Sequence, residues 1–251
     1  MSNTAHDVVR DQNRQAWEAD RYELWVAAYG SPKAQATRLI ADPHHPIRRI
    51  ERHLAPIGGR RICSIQGSHG RIAVALALLG ADCTVVDFSE PNRRYALDLA
   101  DEAGVALDYR LSDVMSCGAL GLSGFDAVIM EMGILHYHQD LAGFFTVMAG
   151  VAAPGAVLVL NEFHPVERKL FGATPAGDYF SPELVIGDVP DPTRSGRDLG
   201  QCAYRFWTLA EVISAVLATG WTVTAFEEYP ADNDPRIPGS YTLTAIRVPQ
   251  D

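Results

Sequence analysis

Two short stretches of the chain carry residue types that a ligand site can use. The first is a turn of small and polar residues, Gln66-Gly67-Ser68-His69-Gly70-Arg71, directly after the apolar run Arg61–Ile65. Small residues let a ligand approach the backbone, and the start of a following helix offers unpaired N–H groups. The second is Asp87, which ends the run Cys83–Val86 and stands twenty residues beyond Gly67. A carboxylate there can accept hydrogen bonds from both hydroxyls of a ribose, so the two together predict a ligand that contains a nucleoside. Further titratable groups follow apolar runs downstream: Glu131 after Phe125–Met130, then His136, Tyr137 and His138, then Glu162 and His164 after Ala156–Asn161. An imidazole, with an unperturbed pKa of about 6.5, suits proton transfer near neutrality.

These groups meet only if the apolar runs are neighbouring strands, and the pattern between them supports that. Ile72–Leu79 reads as an apolar helix ended by Gly80, and Glu90–Ala103 as a helix with Gly104 just past its end. Ala106–Leu111 is a third strand, and Leu141–Ala152 is a helix before the Pro154-Gly155 turn. Continuous apolar strands alternating with helices predict a parallel sheet covered on both faces, so the fold class is α/β and Rossmann-like. The C-terminal end departs from this rhythm. A helix over Thr208–Thr219 is followed by strands Trp221–Tyr229 and Ser240–Arg247, joined only by the proline-rich Pro230–Pro238. No helix fits into that connection, so the last two strands are expected as an antiparallel pair, giving seven strands in all.

Two segments lie outside the alternation. Residues 1–59 read as an N-terminal helical cap, with Trp17, Tyr22, Trp25, Ala28 and Tyr29 at helical spacing, a second helix after Ser31-Pro32 and a third from Pro46. Residues 60–251 form the Rossmann-like domain, with an insertion at 162–207 that is rich in Pro, Gly, Asp and aromatics and has no period. Loops of that length inside compact domains are usually binding loops or lids, and a disordered stretch is the alternative for Asp188–Asp198.

Composition narrows the function classes. The 251 residues are 47% hydrophobic and 21% charged, an ordinary globular balance, and the net charge of −10 disfavours nucleic acid and anionic lipid as partners. Four cysteines without a Cys-x-x-Cys pair, and a lone His44-His45-Pro46, argue against a metal site. Leu141–Leu160 carries no charge, but Pro154-Gly155 divides it into helix and strand, so no membrane span is expected. With a polar N-terminus, the expectation is a cytoplasmic protein, monomer or homodimer.

A dinucleotide pattern G-x-G-x-x-G fails here, since His69 and Ile72 stand at glycine positions. The chain instead resembles the class I S-adenosylmethionine-dependent methyltransferases from about Arg60 to Arg247. The segments that carry the likeness are LALLGADCTVVDFSEPNRRYALDLADEAGV, LSDV (Leu111–Val114), FDAVIMEMGILHY (Phe125–Tyr137), GVAAPGAVLVLNEFHP (Gly150–Pro165) and RFWTLAEVISAVLATGW. The resemblance implies S-adenosylmethionine as cofactor, with S-adenosylhomocysteine as product. It places Gln66, Gly67, Ser68 and Gly70 along the methionyl and ribose part, Asp87 on the ribose hydroxyls and Phe88 against the adenine. Ser112, Asp113 and Val114 would form the adenine site, with Asp113 accepting the amino group.

The glycine loop departs from D-x-G-x-G-x-G: Ser64 stands where an acid is common, and Gln66 and Ser68 replace glycines. Glu131 is then a candidate for the methionine ammonium as well as for catalysis. His136 and His164 are the other catalytic candidates, and Tyr22, Trp25, Tyr137, His164 and Tyr179 the substrate-side ones, the cap and the insertion together covering the acceptor. The expected activity is methyl transfer to an oxygen or nitrogen atom of a small molecule. A cofactor-binding partner subunit without activity and a nicotinamide oxidoreductase are the alternatives.

Overall fold

The structure is a computed structural model that describes residues 5–18, 21–172, 177–193 and 196–249. Helices α1 (Ala5–Glu18), α2 (Arg21–Tyr29) and α3 (Pro32–Ala41) open the chain. The Ser31 side chain accepts a hydrogen bond from the Ala34 N–H and Pro32 occupies the first turn, which is why α3 starts where it does. The helix expected from Pro46 is not continuous. Pro46 opens a single 3₁₀ turn, His45–Ile47, and α4 follows only at Glu51–Leu54.

The alternating pattern then runs as β1 (Arg61–Ile65), α5 (Arg71–Leu78), β2 (Asp82–Asp87), α6 (Glu90–Ala103), β3 (Asp108–Leu111), β4 (Phe125–Glu131), α7 (Leu141–Val151) and β5 (Ala152–Phe163). β5 begins four residues before the expected Ala156. The Pro154-Gly155 turn is absorbed as an irregularity, the pairing jumping from Phe125–Ala152 to Ala127–Val157. Residues 184–188 and 201–205 form an antiparallel hairpin, β6 (Leu184–Asp188) and β7 (Gln201–Arg205), inside the insertion that shows no period in sequence. α8 (Leu209–Ala218), β8 (Trp221–Pro230) and β9 (Pro238–Arg247) complete the chain.

The main sheet has seven strands in the order β3-β2-β1-β4-β5-β9-β8. The first five are parallel, and β9 runs antiparallel to both β5 and β8. This is the seven-stranded, mostly parallel sheet with a reversed C-terminal pair. Both faces are buried. Val128, Met130, Leu158 and Leu160 pack under Phe144, Met148, Val212 and Val216 of α7 and α8. Ala127, Ile129 and Val159 pack on the opposite side with α5 and α6, and Leu39, Ile47, Ile50 and Leu54 of the N-terminal segment join that same core. The hairpin is tied to α1 by Asn13, whose side-chain amide donates to the Ala203 carbonyl at 3.0 Å and accepts from the Ala203 N–H at 2.8 Å.

Strand order reverses at β1, which lies between β2 and β4, so the carboxyl ends of these three strands open a crevice. The turn after β1 must pass tightly over α6 to reach α5. Gly70 makes this possible: its φ is +75°, and a Cβ there would lie 2.6 Å from the Ala96 Cβ. Gly70→Ala should therefore destabilise the protein by roughly 2–4 kcal/mol in urea unfolding, the sum of left-handed strain and overpacking. Gly104→Ala, at a φ of +69° but with open space around its Cβ, should lose only roughly 1–2 kcal/mol.

Candidate active site

A cavity of about 480 Å³ fills the crevice. Its floor is the turn after β1 (Gln66–His69, with Arg71), the ends of β2 (Asp87, Phe88) and β4 (Glu131–Ile134), and Asp113–Met115 beyond β3. Tyr137–Asp140 form one wall, and Asn13, Trp17, Trp25 and Tyr29 of α1 and α2 form the roof. A volume of this size suits one small organic ligand with room for a second reactant.

The floor is held in an unusual backbone conformation. Gln66 and Ser68 have φ of 47° and 50°, in the left-handed region that non-glycine residues rarely adopt. Asp87 holds the turn there: one carboxylate oxygen accepts from the Ser68 N–H at 3.0 Å and the other from the Ser89 N–H at 2.9 Å. Tyr109 adds a hydrogen bond from its hydroxyl to the Ser68 carbonyl at 2.9 Å. Gly67 permits the close approach beneath, since a Cβ would meet Ser64 Oγ at 2.7 Å. Burial pushes the Asp87 carboxyl up to about 6, against the lowering effect of these hydrogen bonds.

At the other side of the turn, burial pushes the Glu131 carboxyl up to about 7, only partly countered by Asn161 and by the charge of Arg71. Glu162 serves a different purpose from the one its position suggests. Its carboxylate accepts from the N–H groups of Gly133, Ile134 and Leu135 at 2.7, 2.7 and 3.0 Å, and so shapes the loop after β4. Met132 enters that loop at a φ of 51°.

The expected site residues divide into two groups. Gln66, Gly67, Ser68, Asp87, Phe88, Asp113, Val114, Glu131, Trp25 and Tyr137 line the cavity together. Gly70 does not; it caps α5 and packs on Ala96. Ser112 also lies outside the lining, its N–H donating to the Asp87 carbonyl. His136 points into a separate crevice of about 30 Å³ with Phe163, Arg168 and Phe206, where burial lowers it to about 3. His164 is turned toward β8, with Nε2 2.8 Å from Glu228 Oε1. Tyr22 bonds Asp98 on α6 at 2.7 Å, and the Tyr179 hydroxyl accepts from the Leu209 N–H at 3.1 Å, so neither reaches the cavity.

The imidazoles that do line it are His138 and His69. His138 Nε2 lies 2.8 Å from Gln66 Oε1, its ring rests on Phe144, and burial lowers it to about 4. His69 stacks on Trp25 and Tyr29 at centroid distances of 4.4 and 5.0 Å. Asn92, which accepts from Trp25 Nε1 at 2.7 Å, and Arg71 were also without a sequence signal beyond their proximity to the two motifs. Among the described residues no group of His, Cys, Asp and Glu is placed to hold a metal ion, and no helix is long and apolar enough to cross a membrane.

The chain is similar to known methyltransferases over the segment that builds the sheet. A family model described as a methyltransferase domain matches residues 65–160, which run from the end of β1 almost to the end of β5. A ubiquinone biosynthesis O-methyltransferase of Methylocella silvestris is 27% identical over 72% of this chain and 64% of its own length. One from Azorhizobium caulinodans is 25% identical over 83% of this chain and 88% of its own. Residues 65–160 are thus similar to a methyltransferase domain. The fold recurs in solved structures: an S-adenosylmethionine-dependent methyltransferase from Mesorhizobium loti superposes with a TM-score of 0.59 at 22% identity, covering 83% of this chain and 100% of that one. Magnesium protoporphyrin IX methyltransferase from Synechocystis, solved with bound S-adenosylhomocysteine, gives a TM-score of 0.61 at 17% identity over 96% and 99% of the two chains.

S-adenosylmethionine is the cofactor named for the Mesorhizobium loti structure, and the cavity of this chain has features such a ligand would need. A buried acid stands at the end of β2, a second acid at the end of β4, and the buried Arg71 Nε and His69 Nε2 on its lining have no hydrogen-bond partner. The raised Glu131 group also has a measurable signature without ligand. A carboxyl whose folded pKa lies above its unfolded value contributes stability below about pH 4.5 and loses it as the pH rises to about 7. Glu131→Gln, which mimics the protonated form, should therefore gain on wild type by up to about 3 kcal/mol across that window, read as the difference in urea midpoints between pH 4.5 and 7.5.

Proposed function

We propose that this chain transfers the methyl group of S-adenosylmethionine to an oxygen or nitrogen atom of a small-molecule acceptor. The observation that carries this reading is a cavity with acids on its floor and an aromatic roof, Trp17, Trp25 and Tyr29, supplied by the N-terminal helices. When bound, the cofactor supplies a methyl group already activated by a sulfonium, so the protein mainly has to align the acceptor and exclude water. Asp87 would take the ribose hydroxyls, Phe88 would lie against the adenine, and Asp113 with the Val114 N–H would meet the adenine edge. Gln66, Gly67 and Ser68 would run beside the methionyl chain. Trp25 in the roof, Tyr137 in the wall and helix α1 leave an acceptor space that suits a compact molecule rather than a polymer. The curated relatives are named O-methyltransferases, which favours oxygen.

Proton transfer from a hydroxyl acceptor needs a base on the lining, and His138 takes that part in place of His136 and His164. As a neutral imidazole it donates from Nε2 to Gln66 Oε1, which leaves Nδ1 free to accept a proton. The −10 net charge suits a cationic cofactor and gives no support to a nucleic-acid substrate.

Titration calorimetry with S-adenosylhomocysteine, followed by turnover with phenolic and amine acceptors, tests the reading. Asp87→Ala should weaken S-adenosylhomocysteine binding at least tenfold. Unchanged affinity would remove the ribose assignment, and tight binding with no turnover on any acceptor would favour a binding-only subunit. With an active acceptor in hand, His138→Ala should lower kcat by about a hundredfold, as loss of a general base does. A KM for cofactor within a few-fold of wild type would separate that role from a structural one.

A further inference from the structure

The amino-acid end of S-adenosylmethionine is a zwitterion, and a zwitterion enclosed in protein needs an anion for its ammonium and a cation for its carboxylate. The strand that leads into the turn has neither, since β1 reads Arg-Ile-Cys-Ser-Ile with its arginine at the far end and exposed. The neighbouring elements supply both. Glu131 ends β4, which pairs with β1 so that Ser64 stands opposite Ile129, and Glu131 is therefore level with Gln66 in the turn. Its nearest side-chain hydrogen bond, from Asn161 Nδ2, is long at 3.4 Å. Arg71 opens α5 on the other side of the turn and is the one lysine or arginine among the described lining residues. Its Nε is buried without a hydrogen-bond partner, and its guanidinium faces the Tyr29 ring at 5.5 Å. The two groups are near enough that the charge of Arg71 acts on Glu131.

Asp87 lies on β2, on the opposite flank of β1 from Glu131. Two interstrand spacings, about 10 Å, therefore separate the two acids, which gives each a different part of an elongated ligand. Resting on the cofactor reading above, we propose that Arg71 and Glu131 form a clamp for a free α-amino acid group, Glu131 receiving the ammonium and Arg71 the carboxylate. The clamp explains why β1 functions with Ser64 in place of an acid, and why a half-paired carboxyl and a half-paired guanidinium face one cavity. It also makes the site selective for nucleoside thioethers that keep the whole amino acid. Burial holds Glu131 partly protonated when the site is empty. An arriving ammonium would restore its charge.

Calorimetry with three related ligands separates the parts: S-adenosylhomocysteine, its decarboxylated amine, and 5′-methylthioadenosine, which lacks the amino acid. Wild type should bind S-adenosylhomocysteine at least a hundredfold more tightly than 5′-methylthioadenosine. Glu131→Gln should weaken S-adenosylhomocysteine and the decarboxylated amine at least tenfold each. Arg71→Met should weaken S-adenosylhomocysteine by as much but leave the decarboxylated amine within twofold. Both variants should keep wild-type affinity for 5′-methylthioadenosine, which also reports that they are folded. Equal losses for all three ligands, or none for S-adenosylhomocysteine, would overturn the clamp while the cofactor reading stands. Failure of wild type to bind any of the three would overturn both.

Discussion

A buried carboxylate at the end of β2 holds the site in shape. Asp87 spends both oxygens on backbone amides, Ser68 on one side and Ser89 on the other, before any ligand arrives. Together with the Tyr109 bond to the Ser68 carbonyl, that pair offsets the cost of a turn with two non-glycine residues at positive φ. The same interaction joins the start of α6 to the turn before α5, so the two helices on that face of the sheet and the cavity floor form one rigid piece. A hydrogen-bonded carboxylate can accept further bonds, because each oxygen has more than one lone-pair direction. Structural and ligand-binding roles are thus compatible in one residue.

A second carboxylate works in the same way across the crevice. Glu162 gathers three successive N–H groups of the loop after β4, and this sets where His136, Tyr137 and His138 go. His136 is turned out among Phe163, Tyr204 and Phe206, while His138 is turned in toward Gln66. Two residues along a tight loop reverse which imidazole can meet a substrate. The roof depends on a different device. Asn13 pairs both of its amide atoms with the Ala203 backbone, so α1, which roofs the cavity, is braced from outside by the β6–β7 hairpin. Residues nearly two hundred positions apart in sequence therefore hold the cavity roof in place.

The parts of the fold that could be read from sequence are those where local pattern and burial agree. β1, α6 and the antiparallel pair β8–β9 lie where apolar runs, Gly104 and the proline-rich connection put them, because a parallel sheet buried on both faces demands continuous apolar strands. The hairpin β6–β7 escaped notice because its outward positions are apolar. Leu184 and Ile186 are exposed, and its buried side rests on Cys202 and Tyr204, which erases the alternation that normally betrays a strand. The helix expected at Pro46 stops after one turn for a related reason: Ile47, Ile50 and Leu54 are drawn into the core as anchors of an irregular connection.

Residue types and their order along the chain were enough for the α/β class and for bringing the glycine turn and Asp87 to one cavity, since these depend on strand-end positions that follow directly from the apolar rhythm. Which side chains face the ligand is another matter. His138 instead of His136 and His164 on the cavity wall, Arg71 as the one lysine or arginine among the described lining residues, and the withdrawal of Tyr22 and Tyr179 toward α6 and α8 were decided by tertiary structure. Orientation in a loop follows from hydrogen bonds to distant backbone, such as those of Glu162, and from the packing of segments far apart in the chain. Neither leaves a periodic trace in the residues it directs.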